Sequence, residues 1–589
     1  MNIIYIITII LLLILYMLLY KKEEKLNFIS WLIIMFGLLL GYNICVCVIL
    51  SFLKIKSTLT TLSIINIFIA FGLGIKIFKD KKTQKYNIYK FDIISILIIL
   101  VLVIIVTIKQ YGIPINIKNS ITDASTHYMV ADEFYNYSIL LLEKNNDVLG
   151  VFNEKALMPG AYINTGIIFK IFSPLIEETY FSQLFIIFDV TMWYLSGLLM
   201  YALLVNNKND AKNKILSLIF SIIYMLGYPL NSLLSGFSYL QIGLNLIICI
   251  LFVMKQEVDH KYKDILIFFL NFGLMFSYYY FAPVIFFTVF IQMIIDIKKC
   301  NENIFSIKNL IRIFISLILP GLFGITYFII FQTIKFGENQ GRLYASAINT
   351  PGSIYENFVS TIFIFAILAV FYIVKNLKNK KLNFSDKLLI NTVIFLAILF
   401  IGMKSQKVSR YYYFKAYYLI WIPLIYIAFS SIEILTEKNK KFTYTGIEIY
   451  CIGIIISIIF NKNLIFFDIY QKNFEEIKSD YNLISYKELD ILEYYNKNIN
   501  QINDNTYIYE AEAIGRVKWL YVITKNPYVY IDVSYGEDAK NIQQFLDSKK
   551  RYCIILKKDN CEEILKDLGD TEGIKIMFQN DAGAIIEKN

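Results

Sequence analysis

Phe91–Ile108 reads FDIISILIILVLVIIVTI, a run whose only charge, Asp92, stands at its start. Its length is close to the ~20 residues a helix needs to cross the hydrocarbon of a bilayer. In lipid only a helix or a closed barrel satisfies its own backbone N–H and C=O groups, so the run predicts a transmembrane helix. Similar runs precede it at about 3–20, 28–53 and 57–78. More follow at about 183–205, 214–227, 232–254, 264–280, 282–296, 310–334, 354–374, 388–403, 416–435 and 444–461. Together they predict about fourteen spans, with Pro229 and Pro283 marking the points where two neighbouring spans break or turn. The first run, Ile3–Tyr20, has no basic lead-in and no small-residue cleavage site before Lys21, so it is expected to persist as a helix.

Composition agrees. Of 589 residues, 57% are hydrophobic and 18% charged, against roughly 45–50% and 25% in soluble domains. The net charge of +10 resides largely in lysine-rich connectors and gives no reason to expect a nucleic-acid partner. The bias toward Ile, Asn, Lys and Tyr is that of an AT-rich bacterial genome, which makes most of the 45 tyrosines background. The cysteines have no zinc-type spacing, and only Cys553 and Cys561 share the soluble tail.

The connectors predict orientation. Lys79, Lys81, Lys82, Lys85 and Lys90 form one basic connector, and Lys375, Lys378, Lys380, Lys381 and Lys387 another. With fourteen spans these fall on one side, which the positive-inside rule makes cytoplasmic. The opposite side receives the long connector 110–182, with Asp123, Asp132, Glu133, Glu143, Asp147, Glu154, Glu177 and Glu178, and also the C-terminal tail. The expected fold class is therefore an all-α polytopic transmembrane bundle with a small C-terminal extracytoplasmic α/β domain. Its parts are a four-helix segment 1–109, the large external loop 110–182, the main bundle 183–461 and the tail 462–589. In the tail, TYIYEAE, YVYIDV and RYCIILKK read as strands, EDAKNIQQFLDSKK and NCEEILKDLG as helices, and the end as a hairpin around Asn580–Gly583. A lid or stability module is expected there, because the tail has no His, metal-ligand cluster or phosphate loop.

Candidate chemistry concentrates at the outer interface. In ITDASTHYMVADEFYNYSILLLE, Asp123 and His127 are four apart, as are Asp132 and Asn136, so each pair can share a helical face. Asp123, His127, Asp132 and Glu133 are candidate proton-transfer groups, and ADEFYNYSILLL is expected to lie on the bilayer as an amphipathic helix. A divalent metal is compatible with these acids but not required, and no metal-ligand set is assigned. Asp189, in FIIFDVTMWYL, is an acid in apolar surroundings, a position that usually faces a cavity or a partner such as Lys335 or Arg342. KSQKVSRYYYFK places Lys404, Lys407, Arg410 and Lys415 on the side where basic residues are disfavoured. With Arg342 these make a candidate anion site, Arg410 offering a planar fork suited to phosphate oxygens.

This layout resembles the GT-C class of membrane glycosyltransferases. Those proteins combine many membrane helices, a large external loop with essential acids, later external basic residues and often an extracytoplasmic α/β domain. The resemblance implies that Asp123 in TDASTHY is the general base, with Asp132 and Glu133 the rival pair. It implies that Arg410 in SRYYYFK holds a polyprenyl phosphate and faces Asp123 across one outward cavity. The implied partners are the bilayer, a polyprenyl-phosphate-linked sugar, and a glycan or protein acceptor in cell-envelope assembly. One feature departs from the class: the acidic loop follows the fourth span, not the first. A surface-polysaccharide polymerase or ligase, or a lipid or solute transporter, are the alternatives. The chain has no internal repeat to favour the transporter.

Overall fold

The computed structural model describes residues 2–19, 26–80, 84–118, 122–139, 158–205, 210–256, 260–327, 348–349, 352, 354–460, 464–478, 482–499, 506–509, 514–525, 542–547, 549–556, 565 and 573–588. Thirteen stretches among them are long and apolar enough to cross a membrane. One of these, Tyr262–Lys299, has 38 residues. As a straight helix it would run about 57 Å, nearly twice the hydrocarbon thickness. It is instead broken: Tyr278 leaves helical geometry at φ −146°, a 3-10 turn covers Tyr279–Phe281, and Pro283 opens the next helix. The chain is an all-α polytopic membrane bundle with a small C-terminal sheet region.

The membrane helices in chain order are α1 (Asn2–Leu19), α2 (Phe28–Phe52), α3 (Leu59–Asp80) and α4 (Lys90–Tyr111). Next come α5 (Thr122–Tyr137) and α6 (Gly160–Phe172), both inside the acidic connector. The main bundle continues with α7 (Phe181–Val205), α8 (Ala211–Leu226), the short α9 (Tyr228–Leu234), α10 (Ser238–Lys255), α11 (His260–Tyr278) and α12 (Ala282–Lys299). It ends with α13 (Ile307–Ile313) and α14 (Leu319–Tyr327), joined by a π turn, then α15 (Phe358–Lys378), α16 (Phe384–Lys404), α17 (Arg410–Lys438) and α18 (Lys440–Phe460).

Lipid offers no hydrophobic drive between helices, so close approach and interhelical hydrogen bonds set the packing. Helices α2 and α11 touch at glycines: a Cβ on Gly41 would stand 2.5 Å from the Phe269 carbonyl oxygen, and one on Gly273 2.7 Å from Gly41 Cα. A ladder ties α1, α2 and α6: Tyr5 Oη donates to Asn43 Oδ1 (3.2 Å), and Asn43 Nδ2 to Asn164 Oδ1 (3.2 Å). At another point buried Asp92 accepts from Asn27 (2.7 Å) and Tyr201 (2.8 Å) and pairs with Lys214 at 2.9 Å.

The tail is not a separate cap. Its helices α19 (Asp468–Lys478), α20 (Tyr486–Asn498), α21 (Ile514–Thr524) and α22 (Ile542–Asp547) accompany a four-stranded sheet. The strands are β5 (Thr506–Tyr509), β6 (Tyr552–Ile555), β7 (Ile574–Asn580) and β8 (Gly583–Lys588), in the order β5-β6-β8-β7. The hairpin turns at Asp581–Ala582, as the Asn-Asp-Ala-Gly signal predicts. The expected strand YVYIDV and almost all of the expected helix NCEEILKDLG lie outside the described residues. Four short strands, in two pairs, precede the sheet. They are β1 (Leu26–Asn27) with β2 (Tyr86–Asn87), and β3 (Ile117–Lys118), which pairs antiparallel with β4 (Asn482–Ile484) of the tail. Helix α19 reaches into the bundle, where Asn473 donates to the Leu226 and Gly227 carbonyls at 2.9 Å and so closes the end of α8. The acidic connector and the tail thus share one end of the bundle.

Of the segment expected to lie on the bilayer, residues 131–142, the last three lie outside the described residues, and the part in α5 buries Ala131 and Phe134 in protein. Helix α5 also buries Ser125, Thr126, His127 and Tyr128, and it is enclosed by α6 on one side and α21 of the tail on another.

Candidate functional site

Breaks in membrane helices are tolerated where the freed backbone is buried in protein or lines a cavity. Two such breaks meet here. The α9–α10 turn runs through Gly236, whose φ of +67° suits glycine, and the α11–α12 turn carries Tyr278–Phe281. Between them enters Lys415, in the second turn of α17 and 2% exposed. Its Nζ donates to Tyr239 Oη at 2.7 Å. The rings of Tyr411, Phe237, Tyr239, Tyr278 and Tyr412 surround it at 4.2, 4.3, 5.1, 5.9 and 5.9 Å from their centroids. Ring faces attract a desolvated cation, each contact contributing ~0.5–2 kcal/mol.

Tyr239 connects this ammonium to α5. Its ring lies 4.7 Å from that of His127, which is 3% exposed. His127 Nδ1 shares a 2.6 Å hydrogen bond with Tyr162 Oη of α6, and the two rings stack. The first turn of α10 is at the same place: its N-cap, Phe237, has no side chain to cap it. The positive end of that helix dipole therefore adds to the field of Lys415. Two buried hydroxyls beside it, Ser238 Oγ and Tyr278 Oη, have no hydrogen-bond partner. Buried hydroxyls without partners are uncommon in folded proteins and point to a ligand or a water. An ammonium, an imidazole, a helix N-terminus and two hydroxyls make a site for an anionic group with polar substituents.

The scaffold around α5 holds this geometry. Lys170 of α6 closes the C-terminal end of α5 by donating to the carbonyls of Phe134 (3.0 Å) and Tyr135 (2.7 Å) and to Ser138 Oγ (2.8 Å). Burial pushes the Lys170 ammonium down to about 8, which leaves it largely charged at neutral pH. Gly166 lets α6 sit against the Ala131 carbonyl, where a Cβ would stand at 2.9 Å. From the tail, Trp519 packs on Tyr128 with ring centroids 5.4 Å apart.

The sequence candidates are distributed as follows. Asp123 lies in the first turn of α5, one turn before His127, and its side chain is outside the described residues. Its expected meeting with Arg410 is therefore not described. Asp132 accepts from Asn136 at 3.0 Å, as the four-residue spacing predicts, and pairs with Lys525 of the tail at 3.2 Å. Lys525 also holds Glu178 at 2.9 Å, so this cluster fastens the tail to the connector. Burial raises the Asp132 carboxyl above its ordinary value, and Lys525 acts against that rise. Glu133, half-buried on another face of α5, lies within electrostatic reach of Tyr327 on α14. Asp189 is buried in α7, and its Oδ1 has no hydrogen-bond partner. Of the basic connector, only Lys415 enters the interior. Arg410 is 70% exposed and pairs with Glu356, Lys404 is exposed over the Phe400 ring, and Lys407 is exposed. Lys335 and Arg342 lie outside the described residues. Among the described residues no three His, Cys, Asp or Glu side chains converge as metal ligands.

Tyr162, Tyr239, Tyr278 and Phe237 do not stand out in the sequence, because aromatics are abundant throughout. The available signal is position. Phe237 and Tyr239 follow Gly236, and Tyr278 precedes Pro283 by five residues, both at helix breaks.

No protein-family profile matches this chain, and no curated protein matches it. Among solved structures, the crystal structure of ArnT from Cupriavidus metallidurans bound to undecaprenyl phosphate superposes with a TM-score of 0.40 and 9% sequence identity, over 83% of this chain and 97% of that one.

Proposed function

We propose that this chain is a membrane glycosyltransferase that moves a sugar from a polyprenyl-phosphate donor to a glycan or protein acceptor at the outer face. The observation that supports it is the junction of Lys415 and His127 through Tyr239 at the uncapped start of α10.

In this reading Lys415 binds the donor phosphate. An acceptor oxygen bonds to the anomeric carbon as the bond from that carbon to the phosphate oxygen breaks. The phosphodiester, with one negative charge, leaves as a monoester that gathers a second. A fixed ammonium and helix dipole stabilise that growing charge more than the ground state, which is how they lower the barrier. The acceptor proton passes to a carboxylate or imidazole within reach. Asp123 is assigned as that base and His127, one turn on, as the group that orients it or the acceptor. Exposed Lys404, Lys407 and Arg410 make the rim a positively charged approach for a lipid phosphate.

The test uses the full chain in liposomes with a panel of radiolabelled polyprenyl-phosphate sugars, measuring release of polyprenyl phosphate and label on an acceptor fraction. Release that disappears in Lys415→Met supports the proposal. No cleavage of any donor, or passage of donor across the bilayer with its bond intact, rejects it.

A further inference from the structure

Asp189 faces a small cavity of about 20 Å³ at the junction of five elements. Its walls include Tyr111 at the end of α4, Ala124 in the first turn of α5, Asp189 of α7, Gly236 before α10 and Trp519 of the tail helix α21. Asp189 is 8% exposed and Trp519 1%. Neither Asp189 Oδ1 nor Trp519 Nε1 has a hydrogen-bond partner. The indole N–H is only a donor, and a carboxyl oxygen that carries no proton is only an acceptor. A group that satisfies both must accept from one and donate to the other. A monovalent or divalent cation fails on the first count, since an N–H repels it and one carboxylate gives too few oxygens. The volume settles the size, because one water needs ~10–15 Å³ of such space.

We infer that this cavity is a hydration site in which one water, accepting from Trp519 Nε1 and donating to Asp189 Oδ1, locks the tail helix α21 to α7 and fixes the first turn of α5. Asp189 is then a positioning residue, acting on Asp123 and His127 through the helix that carries them. Gly236 makes the close fit possible: a Cβ there would stand 3.1 Å from Ala124 Cβ. The inference does not depend on the transferred group or on any catalytic activity.

Two measurements on the full chain in nanodiscs test it. The first is a cryo-EM map that shows buried waters elsewhere in the bundle. Density within hydrogen-bond distance of both atoms is expected, and a clear map with none there overturns the site. The second is hydrogen exchange followed by mass spectrometry on peptides covering 122–137, 514–525 and, as a control, 358–378. Asp189→Leu, which removes the water's acceptor, should speed exchange of the first two by about tenfold and leave the control unchanged. Asp189→Asn keeps an acceptor and should stay within about twofold of the parent. Trp519→Phe removes the N–H and should reproduce the leucine effect, which also covers the case in which Asp189→Leu does not fold. Equal exchange in the leucine and asparagine variants, or no change in Trp519→Phe, overturns the inference.

Discussion

Lys415 of α17 and His127 of α5 are joined through one phenol: Lys415 Nζ donates to Tyr239 Oη at 2.7 Å, and the Tyr239 ring stands 4.7 Å from the imidazole. If this junction is the reaction centre, Lys415→Met should keep the packing of the stem and remove the charge. Turnover should fall by ~100-fold or more, the scale seen when one electrostatic stabiliser is lost. Lys415→Arg should recover little, because a planar fork does not fit the volume of a compact ammonium. Donor kcat and KM, measured separately, check this: a change in KM alone would mean that Lys415 only binds.

Tyr162 controls His127. Tyr162→Phe removes the 2.6 Å hydrogen bond to Nδ1, which should loosen the orientation of the imidazole. Turnover should fall by roughly tenfold and the acidic limb of the pH–rate profile should move, while the thermal midpoint changes little. A purely structural role would lower the midpoint and leave the profile in place.

Asp132 and Asp123 should behave differently. Asp123→Asn should lower turnover by ~100-fold with the fold intact, the expected loss for a general base. Asp132→Ala, which removes the contacts to Asn136 and Lys525, should instead loosen the tail, as should Lys525→Met. Asp132→Asn, the neutral isostere of the protonated carboxyl, should keep it docked. The double variant of Asp132→Ala and Lys525→Met should cost less than the sum, because the two share one contact at 3.2 Å. The pH sign follows from the two groups. Asp132 is raised above 3.8 by burial and Lys525 above 10.5, since Asp132 and Glu178 outweigh its burial, so each holds its proton more tightly when docked. Docking should therefore strengthen as pH falls through the raised Asp132 value and weaken as pH rises through that of Lys525. Protease sensitivity of the tail, followed against pH in parent and Asp132→Asn, reads this directly.

The buried pair Asp92–Lys214 is a fastening between α4 and α8. Asp92→Ala alone should cost ~3–5 kcal/mol, because it leaves a buried ammonium uncompensated. Replacing both with apolar residues of similar volume should restore only part of that loss, because Asn27 and Tyr201 still lose their acceptor. Thermal midpoints of the single and double variants decide it.

The sequence by itself determined the apolar runs that become membrane helices and the interruptions at Pro229 and Pro283. The turn at Gly236, by contrast, falls inside the expected span 232–254, and the π turn at Phe314–Ile318 inside 310–334. In lipid every backbone group must be satisfied within its own helix, so the length and polarity of a run such as Phe91–Ile108 suffice, and Pro229 and Pro283 interrupt it locally. The Asn580–Gly583 hairpin was legible for the same reason, since turn chemistry acts over four residues. The tertiary structure alone decided which basic residue enters the site. Arg410 and Lys415 are five positions apart on α17, about 140° around the helix, and only contact with α10 and α5 sets which of them faces inward. The same holds for the acids: Asp132 became a docking contact because α21, almost four hundred residues later, placed Lys525 beside it. Local sequence specifies hydrogen bonding along a helix, but the phase of one helix against another is set by packing between residues far apart in the chain.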